Sequence, residues 1–192
     1  MGKYVTVAIS DSEYRDLIDI IRSGYTDNKR ITHKPNDQVA TALVLEANLG
    51  CRIGDIMRLE VNSFIKDGNI WKLNITEQKT GKVRYFIVPA PVKAFIDKWI
   101  EKNHITSGRL FTINEYAVWK QLRAATDYLE IENCSTHSLR KKCAIEIYNK
   151  TGHDIEAVCA FLQHSDTKIT RKYIRRSDAQ LEDAISKAVS LC

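Results

Sequence analysis

Four side chains in the stretch 136–174, THSLRKKCAIEIYNKTGHDIEAVCAFLQHSDTKITRKYI, are of the types needed to hold and attack a phosphodiester without a metal. His137 and Arg140 stand three residues apart, and His164 precedes Tyr173 by nine, the tyrosine lying within a run of basic residues. The planar fork of an arginine donates two parallel hydrogen bonds to non-bridging phosphate oxygens, each charge-assisted contact contributing about 1.5–3 kcal/mol. A phenol, with a reference pKa of about 10, is a poor nucleophile at neutral pH, and the diester it attacks gains charge on the way to five-coordination. Cations must therefore gather at such a site. Each residue also has a plainer reading: a basic helix face open to solvent, or a tyrosine and histidines packed into a core.

Stepping along the chain gives the elements that must position these groups. Ser10 and Glu13 form a capping box ahead of a helix over 11–22, with Tyr14, Leu17, Ile18 and Ile21 on one face and Gly24 ending it. The segment 26–35 reads as a polar loop. Asn36 or Asp37 caps a second helix whose stripe Val39, Leu43 and Ala47 is broadened by Ala42, Leu45 and Leu49, and Gly50 suits a left-handed C-cap. Arg52 follows directly on this rigid support, either as a phosphate ligand or as a simple helix-capping cation. Trp71, Leu73 and Ile75 alternate with polar residues, a second strand runs over 83–88 beyond Thr80-Gly81, and Lys79 sits beside the hairpin tip. Helices are expected over 92–102 and 114–128. A helix beginning at Ser135 or Thr136 and running to Lys150 places His137 and Arg140 one turn apart near its N-terminus, with Leu139, Cys143 and Ile147 on the opposite, buried side. Asp154 caps a further helix, His164 falls at its exit, and a short segment carries Tyr173. A last amphipathic helix over about 177–190 presents Leu181, Ala184, Ile185 and Ala188 on one side. The expected fold class is α+β, mostly helical with a small antiparallel β-sheet, in one domain over 1–192.

Composition bounds the partners. The chain has 192 residues and a net charge of +5. Residues 134–176 hold nine Lys/Arg against four Asp/Glu, so this one stretch carries an excess equal to that of the whole chain. A basic stretch of this kind suits a polyanion, since duplex DNA presents about one negative charge per 1.7 Å of axis. The five cysteines are odd in number and scattered, without a CxxC, which fits reduced thiols in a cytoplasmic setting. Cys134 and His137 with His153 and Cys159 match none of the usual zinc frameworks. No apolar run approaches the length of a membrane span.

Arg52 with Asp55 after a helix, Lys79 on a hairpin, H-x-x-R at His137–Arg140 and His164 nine residues before Tyr173 resemble the catalytic domain of the tyrosine recombinases, the phage and transposon integrase family. HSLRK and FLQHSD followed by KITRKYI are similar to integrases of Gram-positive mobile elements. The resemblance covers about 5–185. Lys141-Lys142 after H-x-x-R and Gln163 in place of a frequent glycine depart from the pattern, and neither removes a reacting group. The resemblance implies the DNA breaking-rejoining catalytic fold and a site-specific recombinase that integrates and excises a mobile element through a covalent 3′-phosphotyrosine. It implies Tyr173 as nucleophile, Arg52 and Arg140 as phosphate ligands, Lys79 as proton donor to the leaving 5′ oxygen, His137 as proton acceptor or phosphate ligand, His164 as a further phosphate hydrogen bond and Asp55 as a carboxylate orienting Arg52 or His137 by ionic hydrogen bonds. Lys141, Lys168, Arg171 and Lys172 are expected to contact DNA.

No metal, ATP or other cofactor is implied. The implied partner is double-stranded DNA, bound as a homotetramer by a protein that is monomeric when free and works in the cytoplasm of a bacterial or phage-infected cell, at the nucleoid. The C-terminal helix is expected to be exchanged between protomers, with packing on its own core as the alternative. Family members carry a further N-terminal helical domain that closes the clamp on DNA, whereas this chain begins almost at the first catalytic-domain helix, as an excised domain or a short member would. Two other classes fit the same residues: a type IB topoisomerase or telomere resolvase, and a non-catalytic DNA-binding module.

Overall fold

Local caps set the helix ends, and the computed structural model, which describes residues 6–174, follows them closely. α1 (Asp11–Ser23) opens on the reciprocal Ser10–Glu13 capping box and buries Leu17, Ile18 and Ile21. The chain then makes a small antiparallel ribbon from β1 (Tyr25–Thr26) and β2 (Thr32–His33), within the segment expected to be loop. Two-residue strands are too short to show alternation; this pair is held by the Tyr25 and His33 rings, stacked with centroids 4.5 Å apart. Asn36 caps α2 (Asp37–Leu49) by accepting the Val39 N–H, and Gly50 closes it in the left-handed conformation. α2 is apolar on nearly every side rather than along one stripe. Val39, Leu43, Leu45 and Leu49 are all buried, because α1, the short α3 (Ile53–Ile56) and two later helices pack around it. Burying each such leucine contributes about 1.5–3 kcal/mol.

A 3₁₀ turn, Val61–Ser63, leads into a three-stranded antiparallel sheet of β3 (Phe64–Asp67), β4 (Ile70–Thr76) and β5 (Val83–Val88), in that order. β3 is additional to the two expected strands. It pairs Phe64 with Leu73 and turns into β4 through Gly68-Asn69. Alternation sends Leu73 and Val88 into the core while Tyr85 and Ile87 stay exposed. α4 (Ala90–Lys102) covers the sheet and starts two residues earlier than expected, since Pro91 fits the first helical turn. α5 (Glu115–Tyr128), capped by Asn114, packs on α1 and α2 through Val118, Leu122 and Ala125.

Packing groups the described residues into two compact units, one up to Cys143 and one from Ala144 onward. α6 (Thr136–Lys150) starts in the first and ends in the second. In the second unit, α7 (Ile155–Leu162) is capped by Asp154, which accepts the Glu156 and Ala157 N–H groups, and α8 (Thr167–Ile174) follows. Ala144, Val158 and Leu162 form its core, with Ile147, Tyr148, Phe161, Tyr173 and Ile174 packed against them. The mostly helical α+β class is as expected. The proposed helix over about 177–190 lies outside the described residues, as does the Lys172 side chain.

Among the described residues no helix is long and apolar enough to cross a membrane. None of the four described cysteines is in a disulfide. Burial pushes Cys51 and Cys134 up to about 11, so both stay protonated and unreactive at neutral pH.

Candidate active site

In the first unit, the break between α2 and α3 delivers Arg52. Gly50, at φ 57°, turns the chain out of α2, and Arg52 becomes the extended residue before α3. It makes no capping bond to α3. Its Nη1 instead donates to Glu77 Oε2 at 2.6 Å, and the side chain remains partly exposed. Asp55, buried in α3, accepts the Gln78 N–H through Oδ1 at 2.9 Å. Its bond thus goes to the hairpin backbone beside Lys79 rather than to the expected Arg52 or His137, and it ties the loop that carries Lys79 to the helix that follows Arg52.

α6 brings the other pair. Its first turn is closed by Ser138, whose Oγ accepts the Ser135 N–H at 3.0 Å while its own N–H bonds to the Ser135 carbonyl at 2.8 Å. Arg140 is 2 % exposed, a guanidinium built into the protein rather than laid on it. Its charge is felt by the wholly buried Glu46 of α2. His137, one turn earlier, is exposed. Its imidazole is held below the ordinary histidine pKa by desolvation and then by the positive charges of Arg140, Lys79, Arg52 and Lys141. These four cations come from three separate parts of the chain and converge on one ring. The result is a neutral imidazole at pH 7 amid guanidinium and ammonium groups, an arrangement able to bind an anion and accept a proton from a group attacking it.

Lys141 and Lys142 are less available than their sequence suggests. Lys141 is half-buried, donates to the Thr6 carbonyl, and is lowered in pKa by desolvation. Lys142 is buried, paired with Asp11 and set over the Tyr14 ring.

In the second unit, Gln163 ends α7 in the left-handed conformation (φ 54°, ψ 35°), supplying the turn that a glycine would favour. His164 follows, its N–H on the Cys159 carbonyl at 3.1 Å and its Nδ1 sharing a hydrogen bond with Thr170 Oγ1 at 3.0 Å. Thr170 is fully buried in α8, so its hydroxyl fixes the ring at Nδ1. Tyr173, one turn further on, meets His164 edge-on with ring centroids 5.3 Å apart. Lys168 and Arg171 of α8 are exposed.

Sequence reasoning missed the supports: Glu77, Arg84, Glu46 and Thr170. For the first two a signal existed. Glu77, just past β4, continues the inward parity of Leu73 and Ile75, and Arg84 shares the inward parity of Phe86 and Val88 in β5, so two opposite charges face the core side by side.

The family model described as the phage integrase family matches residues 8–180. The probable integrase/recombinase YoeC of Bacillus subtilis (strain 168) is 29% identical over 136 residues, covering 66% of this chain and 71% of that protein. The XerH site-specific recombinase bound to a palindromic difH substrate in a post-cleavage complex superposes with a TM-score of 0.66 at 18% identity, over 94% of this chain and 52% of that one. The catalytic domain of bacteriophage HP1 integrase superposes with a TM-score of 0.64 at 18% identity, over 96% of both chains. These structural likenesses are likenesses of fold, and the chain spans about half the length of the XerH protein it matches.

Proposed function

This chain belongs to the phage integrase family, and from that premise we propose that it is the catalytic domain of a site-specific DNA recombinase, cutting and rejoining strands through a covalent 3′-phosphotyrosine. The observation that carries the assignment is the gathering of Arg140, Lys79, Arg52 and Lys141 around a depressed His137. In the cleavage step Tyr173 Oη attacks the phosphorus, its proton passes to His137, the bond from phosphorus to O5′ breaks, and Lys79 protonates the departing oxygen. Arg52 and Arg140 carry the non-bridging oxygens, and His164 Nε2 adds a hydrogen bond. Attack by a 5′-hydroxyl from a partner duplex reverses the step, so the diester energy is conserved in the protein–DNA bond. The XerH relative was captured on its DNA substrate after cleavage, which supports duplex DNA as the partner here. Lys168 and Arg171 are assigned to the DNA backbone, and Lys172 with them by sequence alone.

The test is covalent selection. A library of nicked duplexes randomised across its centre is incubated with the protein, denatured, and the protein-linked DNA is recovered and sequenced. Enrichment of a site, with linkage abolished by Tyr173→Phe, supports the proposal; no linkage from any library overturns it. Two such sites on a supercoiled plasmid then separate exchange of partners, expected here, from relaxation alone. Four protomers on two duplexes are expected by light scattering, with weaker association after removal of residues beyond Arg176.

A further inference from the structure

Glu77 is almost wholly buried just beyond the end of β4, beside an arginine, Arg84, that is completely buried in β5. A carboxylate in such a place is costly unless it is matched by charge and hydrogen bonds. Here the matching is full, and it comes from three directions. Oε1 accepts Arg84 Nη1 at 3.3 Å; Oε2 accepts Arg52 Nη1 at 2.6 Å and the Thr80 hydroxyl at 2.7 Å. Burial alone would raise the carboxyl, but the Thr80 hydroxyl, Arg52 and Arg84 outweigh it and hold Glu77 below the usual glutamate value. Arg84 is itself anchored, donating through Nη2 to the Leu49 carbonyl at the end of α2 and lying over the Phe86 ring. The Glu77 backbone closes the hairpin, its N–H on the Lys82 carbonyl and its carbonyl accepting the Gly81 N–H, both at 2.9 Å.

One side chain therefore joins the residue that follows α2, the buried floor of the sheet and the loop that carries Lys79. We propose that Glu77 is a positioning residue, which aims the Arg52 guanidinium and fixes the Lys79 loop against it, so that one buried carboxylate sets both the phosphate clamp and the proton donor. A guanidinium has five N–H donors. With one tied to Glu77 the plane of the fork is set while other donors remain for a phosphate. Two cations on one carboxylate also leave the group net positive, so the anchor does not cancel the charge it aims. The role rests on the recombinase reading above, because it is defined by the reaction Arg52 and Lys79 serve.

The experiment measures single-turnover adduct formation on the nicked duplex recovered by covalent selection, together with affinity for that duplex and thermal unfolding, for wild type, Glu77→Gln, Arg52→Lys and the double variant. Glu77→Gln is expected to slow linkage by about 30-fold or more while changing affinity by less than about threefold and keeping a cooperative melt. If Glu77 acts through Arg52, adding Glu77→Gln to Arg52→Lys costs less than about threefold further. Thr80→Val, which removes one donor to Oε2 and leaves Arg84 in place, is expected to slow linkage several-fold and decides the matter if Glu77→Gln does not fold. Unchanged rates, fully multiplicative losses, or losses that follow affinity and melting together overturn the proposal. The Arg52 side-chain N–H resonance, identified by its loss in Arg52→Lys, must shift in Glu77→Gln; an unmoved resonance also overturns it. Failure of wild type to form any adduct instead removes the recombinase reading, and the resonance alone then decides whether Glu77 holds Arg52.

Discussion

Arg52 and Arg140 carry the same charge but are held in different ways, and this separates the consequences of changing them. Arg52 is partly exposed on a helix-entry turn with one N–H on Glu77; Arg140 is 2 % exposed. Arg52→Lys keeps a cation but loses the planar fork, so linkage to DNA should fall by about 10²–10³-fold with the melting temperature nearly unchanged. Arg140→Ala empties a fully buried site and should cost about 1–3 kcal/mol of stability in denaturant unfolding, in addition to activity. A stable Arg140→Ala protein would show that its burial is incidental. His137 gives a pH signature. Desolvation and its four cationic neighbours depress its folded pKa below the ordinary value of about 6.5, so between the two values the unfolded chain binds more protons. Its contribution to stability is present above about 6.5 and is lost as pH falls through the folded value. In the proposed reaction this neutral ring takes the proton of Tyr173, so the linkage rate should decline on the acid side of neutrality, and His137→Gln should remove that limb. An acid limb that persists in His137→Gln would assign the base elsewhere.

At the scale of elements, α2 is the support on which the first unit is built, and it contains an anomaly. Glu46 is fully buried, and neither carboxyl oxygen makes a well-formed hydrogen bond among the described groups. Burial raises its pKa well above 4.5, although the Arg140 charge and the Ile53 N–H favour the anion. An acid with a raised folded pKa stabilises the fold while it holds its proton, and that contribution fades as pH rises from the unfolded value through the folded one. Glu46→Gln keeps the shape without the ionisation. Relative to wild type it should gain stability progressively as pH rises above the unfolded glutamate value of about 4.3; a difference that does not change with pH would mean that Glu46 is ionised throughout. The helix ends were legible because their signals are local: Ser10 with Glu13, Asn36, Gly50 and Asp154 each act on the backbone within a few residues. β3 was missed although Gly68-Asn69 is a two-residue hairpin signal, since only Phe64 of its four residues is buried and no alternation shows. The reacting side chains were legible by type. Their supports were not: the inward parity of Glu77 and Arg84 was open to reading, but a charge beside or within a strand ordinarily faces water, and their burial is what shows that both face inward.

At the scale of the whole molecule, the net charge of +5 and its concentration in 134–176 are statements about association rather than about the fold. Counting cations overstates the binding surface, however. Arg140 and Lys142 are buried, and Lys141 is half-buried with its ammonium on a backbone carbonyl. Lys168 and Arg171 of α8 are the exposed pair within the described part of that stretch, apart from Lys150 at the end of α6, which lies near Glu146. A phosphate contact releases a counterion, so the logarithm of the affinity falls against the logarithm of salt concentration with a slope of about −0.9 per contact. Lys168→Ala and Arg171→Ala should each make the slope on a non-specific duplex shallower by about 1, and weaken binding about equally across sequences. Lys142→Ala should leave the slope alone and lower the melting temperature instead, because its charge is already matched by Asp11. Anisotropy titrations from low to moderate salt distinguish the two patterns. A slope that responds to Lys142 and not to Lys168 or Arg171 would move the DNA-binding surface away from α8.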